Sequence, residues 1–517
     1  MNSSAVVDIG FVDIVVTRNR FWRFLRQGRH VRVRGSSAPK SSEMLFEKAV
    51  GWLGQIKPLG SIVVGFAVGG SPEFWCSSLT GTPKPMKLKT TSKQASSVDA
   101  RLLLMVLVFC ILASNLTLFY LGRNGLPYRD FKIFYVGALL VRSNHAAELY
   151  DFGLQRRLQT ELLHIRLEEW LPYNHTPFEL LLFLPFARLS YVYAFYLWLA
   201  VSASLGIVCG AALARNLPRL SHMWALFPYA LIVCLFPFFL CVLEGQDSAL
   251  ALILAVACWL SFRNASDGNL GFLLGIGLFK FQIFLPLAFI LAFRRPKLLQ
   301  GYALSAALVT IASAIVVGPT GFASYPRALL QMARASESGI SFQFGMDPRL
   351  LPNLRGLLYG LASGGRAQIP SSVAAVVLAV LLLASMWLTV WTLGQTAQHR
   401  LGKYNTNETT DLAFALAMIV SVLLSFHVLA HDLTVLAVPF AIIVDRFLAS
   451  NGRREPRRFV LGALIFLFYP IAVYLALFAW SLVFVLGGVV ALLAFLVSRE
   501  LREATEEVGL TIAAQVN

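Results

Sequence analysis

The chain has 517 residues, 57% of them hydrophobic and 14% charged, with a mean hydropathy of +0.68. This is far more apolar than a soluble globular protein and marks a polytopic membrane protein. The formal charge of +17 invites a nucleic-acid reading, but the basic residues lie mostly beside apolar runs, where the positive-inside rule places them, so nucleic acid is not expected as a partner.

Residues 1 to about 95 differ from the rest. Arg18 to Arg34 is dense in arginine with interleaved aromatics, and the apolar run Leu59 to Gly70 is too short for a hydrocarbon core of about 30 Å. With no signal-peptide pattern, this segment reads as a basic, disordered extension, and Met86 as an alternative start of the folded chain. Lys84, Lys87, Lys89, Lys93 and Arg101 then lead into the first span and predict a cytoplasmic start.

Apolar windows of about 19 residues predict spans near 102–121, 177–189, 191–213, 223–243, 247–263, 269–293, 299–318, 371–394, 411–427, 432–448, 459–475 and 477–498. Backbone groups at membrane depth must be bonded internally, so these spans, about twelve in number, are helices and the fold is all-α. Arg294, Arg295 and Lys297 fall in one short loop and Arg453, Arg454, Arg457 and Arg458 in another; the count puts both inside. It puts 122–176 and 319–370 outside as two long loops, and the tail 501–517 inside. The span 177–189 is the shortest, and merging it with its neighbour inverts everything up to another miscount. There is no internal repeat. Prolines at Phe236 to Phe239 and after Leu285 predict kinked or broken helices.

Of the six cysteines, Cys110, Cys209, Cys234, Cys241 and Cys258 lie in apolar runs and Cys76 in the extension, with no CxxC pair and no metal-ligand spacing. Neither a disulfide framework nor a zinc site is indicated.

Asp130 follows the end of the first span by about nine residues, which places it at the outer membrane surface. It stands between Arg129 and Lys132, and Phe131, Phe134 and Tyr135 line one side of a short helix after it. Such an acid could be a general base facing an acceptor hydroxyl, with the cations at a phosphate, or a solvated acid beside an interfacial aromatic belt. Lys280, between Gly277 and Pro286 in an apolar helix, either reaches a phosphate or snorkels to an interface. Arg349 and Arg355, in the second long loop, offer bidentate phosphate contacts. His427 and His431 share a helical face and adjoin Asp432, which suits a sugar or phosphate site; zinc lacks a third clear ligand. Glu244, Gly245, Gln246 and Asp247 interrupt apolar sequence, yet the count assigns them to the cytoplasmic end. Either the flanking helices re-enter or the count is off. Tyr150 and Asp151 close the first outer segment and read as docking or capping residues. The sequons at Asn115, Asn174 and Asn407 carry little weight.

RDFKIFYVGALL with ELYD at Glu148 to Asp151, YNHTPFELLLFLPFARL from Tyr173, EGQDSALALIL from Glu244, GFLLGIGLFKFQIFLPLAFILAFRR from Gly271 and LSFHVLAHDLTVLAVP from Leu424 resemble, in order, the blocks of glycosyltransferase family 87. These are GT-C membrane enzymes related to mycobacterial polyprenyl-phosphate-mannose-dependent mannosyltransferases. The likeness covers roughly residues 100 to 450, with two departures. Phe134-Tyr135 stands where two tyrosines are expected, and Tyr173, Asn174, His175, Thr176 and Pro177 spread out a Tyr-Pro-Pro start. The resemblance implies inverting transfer of a hexose, mannose foremost, from a polyprenyl-phosphate donor to a cell-envelope glycolipid or glycan at the outer face, with Asp130 as base and no cofactor implied. Lys280, Arg349, Arg355 and Arg129 become candidates for the donor phosphate. His427, His431, Asp432, Tyr135, Tyr173, His175 and Gln246 become candidates for acceptor or sugar. The expected setting is a bacterial inner membrane with both chain ends in the cytoplasm. The alternative is a transporter or lipid flippase with about twelve spans, although such proteins are often built from paired repeats.

Overall fold

The computed structural model describes residues 92–122, 129–163, 170–337, 347–364, 371–397, 407–449, 468, 472 and 482–516. The N-terminal extension with Met86 and Cys76, the Arg453 to Arg458 loop and most of 459–475 lie outside the described residues. Among the described residues every regular element is a helix. The major helices are α1 (Ser92–Gly122), α2 (Phe131–Arg142), α3 (Phe152–Leu163), α4 (Tyr191–Asn216), α5 (Phe227–Val233), α6 (Phe236–Glu244), α7 (Ser248–Arg263), α8 (Asp267–Ile276), α9 (Phe281–Arg294), α10 (Leu298–Glu337), α11 (Leu354–Ser363), α12 (Ser371–Ala397), α13 (Asn407–Leu424), α14 (Ala437–Ala449) and α15 (Val485–Val516). Among the described residues five helical stretches are long and apolar enough to cross a membrane, Asp267–Arg294 being counted as one stretch, or six if the bent pair α5–α6 is one span. The chain is an integral membrane protein.

Two departures from the sequence reading change how the chain is threaded. Residues 177–189 are not a span but three short helical pieces, Pro177–Glu179, Leu180–Phe183 and Phe186–Arg188; Pro177 and Pro185 each restrict the turn before them. The apolar stretch Asp267–Arg294 would be about 42 Å long as one straight helix, yet Arg295 Nη1 lies 3.3 Å from Asp267 Oδ1. It therefore doubles back through the 3₁₀ turn Gly277–Lys280, with α8 as one stroke, α9 as the return and Lys280 at the tip. At 1.5 Å per residue α8 is roughly 15 Å long, α9 roughly 21 Å and α7 beside them roughly 24 Å.

This threading sorts the charges into two layers. At one level Arg219 pairs with Asp445 (3.3 Å), Arg446 with Glu408 (2.6 Å), Arg263 with Asp411 (3.7 Å) and Arg295 with Asp267. At the other ends of α7 and α13 sit Asp247, Lys280, His431 and Asp432. Between the layers lies an apolar core that includes Trp259, Phe262, Phe284, Phe414 and Phe440, all fully buried. Helix α13 runs up its middle, 83% buried, whereas α12 is only 6% buried and faces outward with an apolar surface suited to lipid.

Helix α8 packs on α10 at backbone distance, which needs glycine on both sides. A methyl group on Gly271 would overlap the carbonyl of Leu298, and one on Gly301 would overlap the carbonyl of Gly268. Neither obstacle is a side chain that can rotate away. Gly271→Ala should therefore destabilise the protein by about 1–3 kcal/mol, read as an earlier thermal transition in detergent. Gly394→Ala, which on α12 meets nothing within 4 Å, should leave the transition unchanged or slightly raised.

Candidate active site

Asp130 stands at the start of α2, its side chain making no capping hydrogen bond, and is half-buried. The helix it opens does not lie in lipid: Phe131 and Phe134 are fully buried and Tyr135 is nearly so. Phe134 stacks on Phe183 (centroids 4.5 Å apart), and Phe131 packs against Phe195 and Trp198. The interfacial-belt alternative therefore falls away, and Asp130 is held at the edge of a packed aromatic cluster.

That cluster also fixes the turn after α6. Gly245 has φ +68°, and any side chain there would place its Cβ 2.7 Å from Phe131 Cβ. Its amide bonds to the Val242 carbonyl and that of Gln246 to Cys241, a Schellman-type ending, while Trp198 Nε1 donates to the Gly245 carbonyl (3.0 Å). The turn delivers Gln246, whose Nε2 donates to Asp130 Oδ2 at 2.6 Å. Glu244 to Asp247 thus lie beside Asp130, and the count that set them on the opposite face of the membrane is corrected. Its error was the supposed span 177–189.

A connected set of ionisable groups extends inward from this contact. Glu244 Oε2 meets His431 Nδ1 at 3.0 Å, and His431 Nε2 lies 3.6 Å from Asp432 Oδ1. Lys280, 3% exposed, reaches Asp432 Oδ1 and Asp247 Oδ1 at 2.7 Å each. Asp432 also accepts from Ser248 Oγ (2.8 Å) and the Leu429 amide (2.9 Å). Beyond Asp247, His175 Nδ1 stands 3.6 Å from its Oδ2 and 3.0 Å from Glu179 Oε2. Two triads bring their donor atoms within 4.8 Å of one another, Asp130 with Glu244 and His431, and His175 with Glu179 and Asp247. Burial pushes His175 down to about 4, so its ring is neutral. Burial also acts to lower His431, but Asp432 and Glu244 outweigh it and the net shift is upward. Burial and the neighbouring Asp247 raise Glu179 well above the usual carboxylate range.

The remaining candidates divide between scaffold and rim. Tyr135 donates to the Leu189 carbonyl and Tyr173 to that of Thr176, both at 2.8 Å. Burial raises Tyr173 well above its ordinary value, and the adjacent Glu179 adds to this. Gln155 and Gln159 on α3 bond the backbone at Tyr173 and Leu171, and Tyr150 Oη bonds the His175 carbonyl (2.7 Å), which pins this segment. Asp151 accepts from the Leu154 amide at the start of α3. Arg349 makes a bidentate pair with Asp347. Arg355 lies over the Phe426 ring (4.0 Å) and donates to its carbonyl, next to His427. Arg129 is half-buried beside Asp130. Sequence reasoning missed Glu179; the available signal was an acid opening an apolar run four residues after His175.

Asp130, half-buried and hydrogen-bonded by the Gln246 amide beside a buried charge network, is the candidate site. Residues 173–425, just under half of the chain, match the model of glycosyltransferase family 87, and the protein is a glycosyltransferase. The matched region holds Tyr173, His175, Gln246, Lys280, Arg349 and Arg355, while Asp130, His427, His431 and Asp432 lie outside it. No curated protein and no solved structure matches the chain.

Lys280→Met leaves Asp247 and Asp432 as buried carboxylates without their shared cation, a change that should cost about 3–5 kcal/mol. Adding Asp432→Asn should recover part of that loss. Thermal melts of both variants against wild type give the coupling directly.

Proposed function

We propose that the protein is an inverting hexosyltransferase, with mannose the favoured sugar, a polyprenyl phosphate as the donor's carrier and a cell-envelope glycolipid or glycan as acceptor. Asp130 is the general base. The observation that carries this is the contact of Gln246 Nε2 with Asp130 Oδ2 at 2.6 Å. It fixes one carboxylate oxygen and leaves the other for an incoming hydroxyl. The acceptor oxygen attacks the anomeric carbon from the face opposite the phosphate, its proton passes to Asp130, and the bond to the phosphate oxygen breaks with its electrons on the leaving polyprenyl phosphate. A lipid phosphate leaves readily, so catalysis here is chiefly positioning and proton removal.

Roles for the other residues follow their placement. Arg129 and Arg355, with His427, are assigned to the donor phosphate, and Arg349 supports that rim through Asp347. Lys280, engaged by two carboxylates, organises His431 and Asp432 rather than meeting the phosphate itself. His431 and Gln246 face the acceptor side; Tyr135, Tyr173 and His175 shape it from behind. The transporter alternative gives way to the family match.

For topology, the arginine-rich layer of Arg219, Arg263, Arg295 and Arg446 is assigned to the cytoplasm by the positive-inside rule. The catalytic layer then faces outward, with both chain ends inside and a bacterial inner membrane as the setting. Losing the span at 177–189 and splitting 269–293 into two strokes compensate each other. The total stays at about twelve, and the basic loops stay inside.

Sugar transfer by the purified protein in lipid, supplied with polyprenyl-phosphate-mannose and a panel of glycolipid acceptors, tests the reading. Asp130→Asn should lower the turnover number about 10²–10⁴-fold with donor binding unchanged. Unchanged turnover would remove Asp130 from the mechanism.

A further inference from the structure

We infer that His175, Glu179 and Asp247 form a buried divalent-cation site of the zinc or manganese type, beneath the catalytic carboxylate and distinct from it. The first support is geometric. His175 Nδ1 lies 3.0 Å from Glu179 Oε2 and 3.6 Å from Asp247 Oδ2, with the three donor atoms inside a 4.8 Å cluster. Ligands around a tetrahedral ion with bonds of about 2.0–2.1 Å stand roughly 3.3–3.4 Å apart, so the observed separations bracket what such an ion sets.

The second support is independent of spacing. Glu179 is completely buried, with no donor to Oε1 and only the His175 ring nitrogen, at 3.0 Å, near Oε2; Asp247 Oδ1 is met by the Lys280 ammonium at 2.7 Å, while its Oδ2 has no hydrogen-bond donor. The other acids of the network are served: Asp432 takes Ser248, Lys280 and the Leu429 amide, and Glu244 takes His431. Unsatisfied carboxylate oxygens therefore gather around one point. One ammonium there faces three buried acids, Glu179, Asp247 and Asp432. Two buried carboxyl groups facing one another this closely either share a proton or bind a cation, and an imidazole aimed at both favours the cation. An imidazole with two carboxylates suits zinc or manganese better than magnesium or calcium, which favour oxygen ligands.

The backbone on the ligand segment is already fixed. Tyr150 Oη holds the His175 carbonyl, and Ser313 Oγ accepts from the Phe178 amide (3.2 Å). A bound ion would tie this segment to the turn that carries Gln246, giving it a positioning role rather than contact with the reacting atoms.

The test is metal binding by the full-length protein in detergent, independent of sugar transfer. Metal analysis of purified wild type should find close to one equivalent of zinc or manganese. Stripped protein titrated with cobalt(II) alone should develop visible absorption that saturates at one equivalent. Glu179→Gln should abolish both signals while eluting as wild type on size exclusion. Because that variant could fail to fold, His175→Cys gives a second readout: a near-ultraviolet thiolate-to-cobalt band absent from wild type. Asp130→Asn should keep the metal. The inference is overturned by wild type that neither retains metal nor binds cobalt, by binding that survives Glu179→Gln, or by binding lost in Asp130→Asn, which would place the ion in the other triad. Failure of the transferase reading would leave these signals untouched.

Discussion

The structure depends on one ammonium group. Lys280 sits almost out of solvent with two carboxylates at 2.7 Å, one from the start of α7 and one from the segment between α13 and α14. In a low-dielectric interior none of the three charges is tolerable alone. Together they hold the tip of the α8–α9 hairpin, the turn after α6 and the 3₁₀ stretch Ala430–Leu436 at a single level. Everything that reaches Asp130 passes through elements so fixed: Gln246 on the turn, and His431 next to Asp432.

The lysine reaches that level because the chain doubles back. A continuous helix over Asp267–Arg294 would put Lys280 in mid-membrane with no acid available to it. The 3₁₀ turn Gly277–Lys280 makes it a tip instead. Close backbone packing of α8 on α10 through Gly271, Gly275 and Gly301 keeps the hairpin upright. Arg295, paired with Asp267 and lying 4.3 Å from the centroid of the Phe262 ring, closes its base. Short strokes, glycine contacts and the buried ion pair are thus parts of one arrangement.

How much of this was legible in the sequence depended on range. The apolar runs gave helices within a few residues for α4, α7, α12 and α13, because hydropathy is a local property. Asp130 stood out because an acid just past an apolar run is conspicuous by itself. What hydropathy cannot register is direction. Residues 177–189 are apolar because they line the aromatic cluster around Phe183, not because they cross lipid, and 269–293 is apolar on both strokes of a hairpin. These two errors have opposite sign, so they cancel in the count beyond residue 295, while Glu244 to Asp247, lying between them, were set on the wrong side of Asp130. Pairings such as Gln246 with Asp130, 116 positions apart, are long-range facts with no local signature. Glu179 offered only one local cue, its place four residues after His175; its approach to Asp247 is a long-range fact like the others.

The division of charge around Asp130 also bears on the proposed chemistry. Inversion needs a base on one side of the sugar and stabilisation of the departing phosphate on the other. Asp130 and Gln246 belong to a wall built from α2, the 180–188 turns and the aromatic cluster. Arg355 and its partner Phe426 belong to a second wall, where α11 packs on α13 and α15. The acid network lies beneath the first wall and an arginine rim marks the second. If the acids were free to move, an anionic donor would be repelled from the whole cleft. Locked around Lys280, with hydrogen bonds to Asp432 from Ser248 and the Leu429 amide, these acids are held in fixed positions away from the donor. Asp130 is then left as the carboxylate at the edge of the network, where the proposed mechanism brings the acceptor hydroxyl. On the proposed mechanism, the buried ions hold the base rigid beside a donor that carries the same sign of charge.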